Sequence, residues 1–533
     1  MRYILSLLTF GAAALMMRSL NAQSVDPSAS SPYGGPPITF GELAASSGSG
    51  SLTPSTSSIC QTGTNPNCVV TGQYSRGRLG QNALEQTLAG YNTTTNPLPN
   101  TFTWINYYAT NSNDYYHPTP TTGATYNPTM AQPLWLNNVP ISGTDHNVLL
   151  TATLTGSVYA YDADNGAILW DRYSGSSAGP PLVQNCGGAS GTPVLPSFQS
   201  IPYYGILSTP VVEGETTHPV MFVVSGCQNS SGVVSYYLNA IDITTGGDLM
   251  SGGGTAGGIQ IVGPSGVFRP GNQFQRPALL LNHTKNAMGQ TTGTYLYIGF
   301  GTGITELGSG TKGYNGWIFG YSIAYTGTQP TAVSATALTN SPFSTTPSEA
   351  TSGVYPPTSA AAPGWAGSPA ANPSCNTSSN CFNGDNWVDG TNVTGHAGGV
   401  WMSGRGPSSD ASADVYFGAG NGTFGCTTSG TTCTSVSTVN NFGESAVEFA
   451  APLASSPSIS VADFYAPYTN TVANDQPANG SPFSAASTQA QALNRYDLDF
   501  GDPGVISFVT QVSSGRLGLP LPTKPATFMS CLL

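Results

Sequence analysis

Short apolar stretches alternate with turn-forming ones along the chain, and within each stretch the alternation has the period of a strand. The plainest block is Val148-Leu-Leu-Thr-Ala-Thr153, then Ser157-Val-Tyr-Ala-Tyr-Asp-Ala163, then Ile168-Leu-Trp170. Apolar residues take turns there with small or polar ones, as on a pleated strand. Between the last two stretches, Asp164-Asn165-Gly166 supplies residues that accept positive φ, which a tight hairpin requires. The block predicts three antiparallel strands in a meander.

The block recurs. Met221-Phe-Val-Val224 and Leu238-Asn-Ala-Ile-Asp-Ile-Thr-Thr-Gly-Gly-Asp-Leu-Met250 form a second copy, in which Ala160, Asp162, Gly166 and Trp170 map onto Ala240, Asp242, Gly246 and Met250 at a constant offset of 80 residues. A third, weaker copy runs through Tyr295–Phe300 and Gly316–Tyr321, with Tyr321 at the same offset from Ile241. Val415–Ala419, Ser445–Phe449 and Val461–Tyr465 make a fourth. Self-similar all-β units at a long period are the signature of a β-propeller of four-stranded blades. A bare blade needs ~40–50 residues, so the excess is assigned to Ser/Thr/Gly/Pro-rich loop insertions such as 337–396. The competing parallel β-helix has shorter, more uniform rungs.

Composition supports an all-β chain. Among 533 residues there are 66 Gly, 41 Pro and 26 Tyr, and only 7% are charged. Such a chain has apolar material for a core but few helix-forming segments. Its 13 Lys and Arg against 25 Asp and Glu leave a net charge of −12 with no basic cluster, which argues against nucleic acid as a partner.

The first 22 residues have the order of a signal peptide: Arg2, an apolar run from Ile4 to Met17, and a small residue at Ala22. Export to the periplasm, cell surface or medium is the expectation, with no membrane span left after cleavage. Residues 23–70 read as a flexible Ser/Gly/Pro-rich lead and 71–533 as the propeller. The nine cysteines fit an oxidising compartment. Cys60 with Cys68, Cys375 with Cys381 and Cys426 with Cys433 suit local loop-pinning disulfides, Cys186 with Cys227 one longer bridge, and Cys531 is left single. Free thiols are the alternative; metal binding lacks the CxxC-type spacing.

Ala160-Tyr-Asp162-Ala-Asp-Asn165-Gly166-Ala-Ile-Leu-Trp170 resembles the tryptophan-docking motif AxDxxTGxxxW of pyrroloquinoline-quinone-repeat (quinoprotein alcohol dehydrogenase-like) propellers, and Ala240–Met250 matches it with Met250 in place of Trp. The motif has physical sense: a small Ala lets blades approach, Asp accepts hydrogen bonds from turn amides, Gly takes the left-handed position and an indole fills the space between blades. Gly72–Leu88, Gln132–Leu136, Ile206–Pro210, Gly316-Trp317, Gly399–Gly406, Gly420–Phe424 and Asp497–Gly501 are similar to landmarks of an exported bacterial group of these proteins. Members of that group continue beyond the last landmark, whereas Gly515–Pro525 has no strand alternation here; the resemblance thus implies a ring short of closure.

The resemblance also implies a quinone and Ca²⁺ in those members that are dehydrogenases, but neither an adjacent cysteine pair nor a recognisable ligand set occurs in this sequence. Asp162 and Asp242 recur periodically and read as turn residues. His146, His218, His283 and His396 are scattered and read as hydrogen-bonded loop histidines. Asp497 and Asp499 share one strand face, where a cation or simple exposure would suit them. Trp401 and Arg405 either line the channel mouth or pack on the next blade. Glu306, Lys312 and Tyr314 have no assignable partner. The expected function is an exported, non-catalytic propeller that binds a ligand or protein at its loop face. The competing classes are a quinone- and Ca²⁺-dependent oxidoreductase of alcohols or sugars and a cell-envelope assembly scaffold.

Overall fold

Alternating burial on both faces of its central strands organises the molecule. The computed structural model describes residues 129–465 except 174–175, 195–203, 214–217, 253, 265–267, 269, 303–315, 328, 347–397, 421–423 and 427–438; beyond these it describes Gly501 and the backbone of three further strands.

Four antiparallel sheets follow one another, each a meander. The first is β1 (Leu134–Ile141), β2 (Thr144–Ala152), β3 (Val158–Asp162) and β4 (Ile168–Arg172), in that order. In the second, β5 (Thr192–Pro193) and β6 (Val211–Glu213) share the first lane, beside β7 (Val220–Gln228), β8 (Val234–Asp242) and β9 (Ile259–Gln260). The third has β10 (Gln273–Phe274) and β11 (Leu280–Lys285) in the first lane, then β12 (Thr291–Thr302), β13 (Trp317–Thr326) and, in the last lane, β14 (Ala332–Ala337) and β15 (Phe343–Ser344). The fourth is β16 (Ser408–Ser409), β17 (Val415–Gly418), β20 (Ala446–Phe449) and β21 (Val461–Tyr465), with a hairpin of β18 (Phe424–Cys426) and β19 (Val439–Phe442) inserted before β20. These are propeller blades, and their antiparallel pairing rules out the β-helix.

Sequence offset becomes spatial equivalence. Tyr161, Ile241 and Tyr321 each lie on the third strand of their blade. The middle strands are sealed on both faces, and period-2 geometry deals their side chains alternately to two neighbours. On β7, Met221 and Val223 join the core shared with the first blade, while Phe222 and Val224 join the core shared with the third. On β12, Leu296, Ile298 and Phe300 face the second blade and Tyr295 and Tyr297 the fourth. Three apolar clusters are therefore three interblade interfaces.

In a meandering blade the turns after the first and third strands share one face of the ring, and those after the second and fourth share the other. Here the first set is mostly short: Ser142-Gly143, residues 163–167, 286–290 and 410–414 are examples, and the longest is 243–258. The second set carries the long connections: 173–191 between the first two blades, 261–272, 303–316, 345–407 and the segment holding β18 and β19. The two faces are called below the turn face and the loop face.

One expectation is corrected near the C-terminus. Leu517–Thr523 (β23) and Thr527–Leu532 (β24) pair as a hairpin, with Phe508–Val509 (β22) beside Leu517 and Gly518. Pro520 and Pro522 hid this strand, but prolines two residues apart present their missing N–H groups to the same side, and β22 stops short of both.

Candidate functional site

Both docking motifs sit at the turn face. Ala160 and Ala240 are buried on β3 and β8, and Asp162 and Asp242 close those strands. Asp242 Oδ1 accepts from the Thr244 N–H at 2.8 Å and the Thr244 hydroxyl at 2.7 Å, and its Oδ2 accepts from the Thr245 hydroxyl at 2.9 Å. Asp162 Oδ1 accepts from the Asp164 N–H at 2.9 Å, and Oδ2 lies 2.9 Å from His146 Nδ1. Burial works to raise the Asp162 pKa, but the hydrogen bonds from His146 and Asp164 outweigh it and hold the carboxyl below its ordinary value. Gly166 and Gly246 have φ of 79° and 73°, the left-handed torsions those turns need.

Trp170 leaves β4 and lies on the second blade's turn. Its Nε1–H donates to Ile243 O at 2.6 Å, and its ring covers Gly246 so closely that a Cβ there would come within 2.7 Å of Cε3. Met250, at the equivalent place, is buried in the core between the second and third blades.

An interblade ion pair and an interblade histidine–glutamate contact had no sequence signal beyond residue type. Arg172, fully buried, donates to Gly246 O at 2.8 Å and pairs with Asp248 at 2.9 Å to Oδ1 and 3.1 Å to Oδ2. Desolvation raises the Asp248 pKa despite the opposing effect of Arg172. Glu213 at the end of β6 meets His283 of β11 at 3.2 Å, with Thr294 Oγ1 3.1 Å from His283 Nδ1 and the Tyr325 hydroxyl donating to Glu213 at 3.4 Å. His283, expected in a loop, stands on a buried strand instead: its register opposite Thr294 turns it into the interface. With side chains only 2% and 3% exposed, His283 and Glu213 are buried together between the second and third blades.

At the loop face the first lanes begin side by side. Gln132 N–H donates to Thr209 Oγ1 at 2.9 Å, Leu279 N–H donates to Thr209 O at 3.1 Å, and Gly406 backs onto Ala278. Each lane carries a proline at this point, Pro133, Pro210, Pro277 and Pro407. That recurrence is the signal that would have aligned these segments from sequence. Around them Ser208 Oγ, Gln273 Oε1, Gln275 Oε1 and Ser408 Oγ are buried without a hydrogen-bond partner among the described residues. Trp401 lies over Gly301 and meets Phe274 edge-on at 5.8 Å, partly exposed; Arg276 and Arg405 are partly exposed as well. Trp401 thus packs against the third blade.

Cys186 and Cys227 form a disulfide at this face, tying the first long connection to the end of β7. Cys60, Cys68, Cys375, Cys381 and Cys433, like His396, Asp497, Asp499, Glu306, Lys312 and Tyr314, lie outside the described residues, and of Cys426 and Cys531 only the backbone is described. Calcium binding needs several convergent oxygens with carboxylate charge among them. Among the described residues no three His, Cys, Asp or Glu side chains are placed to hold a metal ion, and Glu444, buried just before β20, is a single carboxylate at this face. The described mouth does not fit a calcium-held quinone, so no chemistry is routed through one.

No family model matches the chain, and no curated protein does. Among solved structures it is similar to a quinohemoprotein alcohol dehydrogenase from Pseudomonas putida HK5, at 14% identity and a TM-score of 0.34 over 76% of this chain and 40% of that one. A quinohemoprotein alcohol dehydrogenase from Comamonas testosteroni is similar at 13% identity and a TM-score of 0.35, over 76% and 41%. The chain thus spans about two fifths of the length of those proteins. By its own succession of antiparallel four-lane meanders the chain has a β-propeller fold.

Proposed function

We propose that the chain is an exported, non-catalytic propeller that holds a ligand or a protein partner at its loop face. The observation that carries this reading is the segregation of connections. Long segments leave and return at the face where the first lanes begin, and the opposite face is mostly closed by short turns. Elaborated connections on a rigid scaffold are where binding residues concentrate. The buried oxygens of Ser208, Gln275 and Ser408 at the same face add unmet hydrogen-bonding capacity.

The two faces offer matched positions for a test. Val233 and Val262 are exposed at the loop face, and Met288 and Leu453 at the turn face. With a photo-crosslinking residue at each position in the producing cell, discrete adducts are expected from Val233 and Val262 and none from Met288 and Leu453. Adducts from the turn face alone overturn the assignment. Catalysis is tested separately, by adding the quinone and Ca²⁺ to the purified chain with an alcohol or sugar and a redox dye. Dye reduction that requires quinone and substrate would replace the binding reading with the oxidoreductase one. Export predicts that the mature chain begins near Gln23; mass spectrometry that finds Met1 retained rejects it.

A further inference from the structure

In each of the first three blades one cross-strand row faces the next blade, and its chemistry repeats. The row is Leu150, Ala160 and Trp170 in the first blade, and Trp170 reaches the second. In the second it is Phe222, Ala240 and Met250, all buried in the core shared with the third blade. In the third it is Tyr297, Gly320 and Leu338. Tyr297 pairs with Gly320, Leu338 N–H donates to Gly320 O at 2.9 Å, and a Cβ on Gly320 would come within 3.1 Å of Ile459 Cδ1 in the fourth blade. Each blade seats on its successor through a large side chain on the second strand, a small residue on the third and a large apolar one on the fourth.

The fourth blade breaks the series. Phe417 and Phe449 meet Phe343 of the third blade, so the period of a strand turns Tyr416 and Glu448 to the opposite side. The outward row is therefore Tyr416, Glu448 and Asp463, paired in register. One carboxyl stands where Ala160, Ala240 and Gly320 stand, and another where Trp170, Met250 and Leu338 stand. This face is covered all the same. Tyr416 is only 4% exposed, and on the same side of β17 a Cβ on Gly418 would come within 2.7 Å of Gly501 Cα. Chain that follows the fourth blade is thus seated on a face built with acids in place of the usual docking residues.

We propose that this outward face is a pH-sensitive seam, closed while Glu448 is protonated and opened when it ionises. Among the described residues, the titratable groups facing Glu448 are Tyr416 on β17, Asp463 on β21, and Asp410 and Asp414 of the adjoining turn. Asp410 accepts from the Ser412 and Asp414 N–H groups at 2.9 Å and from the Tyr416 hydroxyl at 3.3 Å, and Asp414 accepts from the Ala451 N–H at 2.7 Å. Those bonds fix both turn carboxyls beside Glu448. A protonated Glu448 is a neutral side chain that also donates. An ionised one adds a charge to three acids at a half-buried interface, where repulsion is strong. Burial, and then Asp414, Asp463 and Asp410, push the Glu448 carboxyl up to about 7, so the seam is favoured in acid and weakened as pH rises to neutrality.

The test is hydrogen-exchange mass spectrometry of the full mature chain at about pH 5 and about pH 8, with each amide rate divided by its intrinsic rate at that pH. Protection of β17 and β20 is expected to fall at least about tenfold between the two conditions, while β7 and β8 in the second blade hold theirs. Glu448→Gln should remove the fall. Glu448→Ala, which restores the residue type of Ala160 and Ala240, should remove it too. Asp145→Asn, on the first blade, should keep it. Thermal melts show which variants fold; if neither Glu448 variant does, the contrast between β20 and β8 in the wild-type chain decides alone. Equal protection of β20 at both pH values, a fall shared equally by β7 and β8, or an undiminished fall in a folded Glu448→Gln chain overturns the proposal.

Discussion

At the scale of single residues, the contact between Trp170 and Gly246 concentrates the interface of the first two blades. Trp170→Ala removes a buried indole and leaves Ile243 O without its donor, so a loss of about 3–5 kcal/mol is expected in denaturant melts. Trp170→Phe should fall between, since it keeps most of the apolar volume and drops only the hydrogen bond. Gly246→Ala tests the same contact from the other side. Its Cβ would press on the ring, and its φ of 73° suits glycine, so about 1–3 kcal/mol of destabilisation is expected. A Gly246→Ala chain as stable as wild type would contradict the packing described. Met250→Ala should cost about 2–5 kcal/mol, because Met250 is buried in the next interface.

At the scale of elements, the fourth blade carries the acid–base behaviour. Glu448 on β20 is paired in register with Tyr416 of β17 and Asp463 of β21, with Asp410 and Asp414 on the adjoining turn. Burial first, and then the charges of Asp414, Asp463 and Asp410, raise its pKa from 4.5 to about 7. Asp410 is raised too, by desolvation and by Asp414. A carboxyl with a folded pKa above its unfolded one favours the fold while it is protonated. Its contribution is complete below pH 4.5 and is lost as pH rises through about 7. Melting temperature should therefore fall across that window, and Glu448→Gln should flatten the fall and stabilise the chain above it. A Glu448→Gln chain with the wild-type slope would show that another group sets the trend.

Elements were also the scale at which the sequence could be read furthest. The third strands of three blades fell at one offset because Ala, Asp and Gly report a local turn, and local chemistry repeats with the blade. Charged pairings across an interface left no such trace. Nothing adjacent to Arg172 announces Asp248, 76 residues away, and nothing beside Glu213 announces His283. Trp401 was legible as a candidate, whereas its contacts with Gly301 and Phe274 on the third blade were not.

At the scale of the whole molecule, the disulfide and the interfaces set what holds the blades together. Cys186 and Cys227 are 41 residues apart, and closing such a loop is worth about 2–4 kcal/mol. Cys186→Ala with Cys227→Ala should lower stability by about that amount and abolish the sensitivity to reductant that this bond confers. Peptide mapping should find both sulfurs protected from alkylation until reductant is added; free alkylation of Cys227 in the native chain would reject the bond.

The alternating burial of the middle strands has a consequence for synthesis. Trp170 and Arg172 meet their partners only after 73 to 84 more residues exist. A nascent chain therefore always ends in a half-finished blade whose outward apolar side has no cover. A fragment stopped at Asp242 would expose Phe222, Val224 and Leu238, whose cover comes from the third blade, and should self-associate. Extending it through Ser344 moves the uncovered surface to Tyr295, Tyr297 and Ile318 without removing it. Each blade is thus a template that solubilises its predecessor, and the growing end must be sheltered until the following blade arrives.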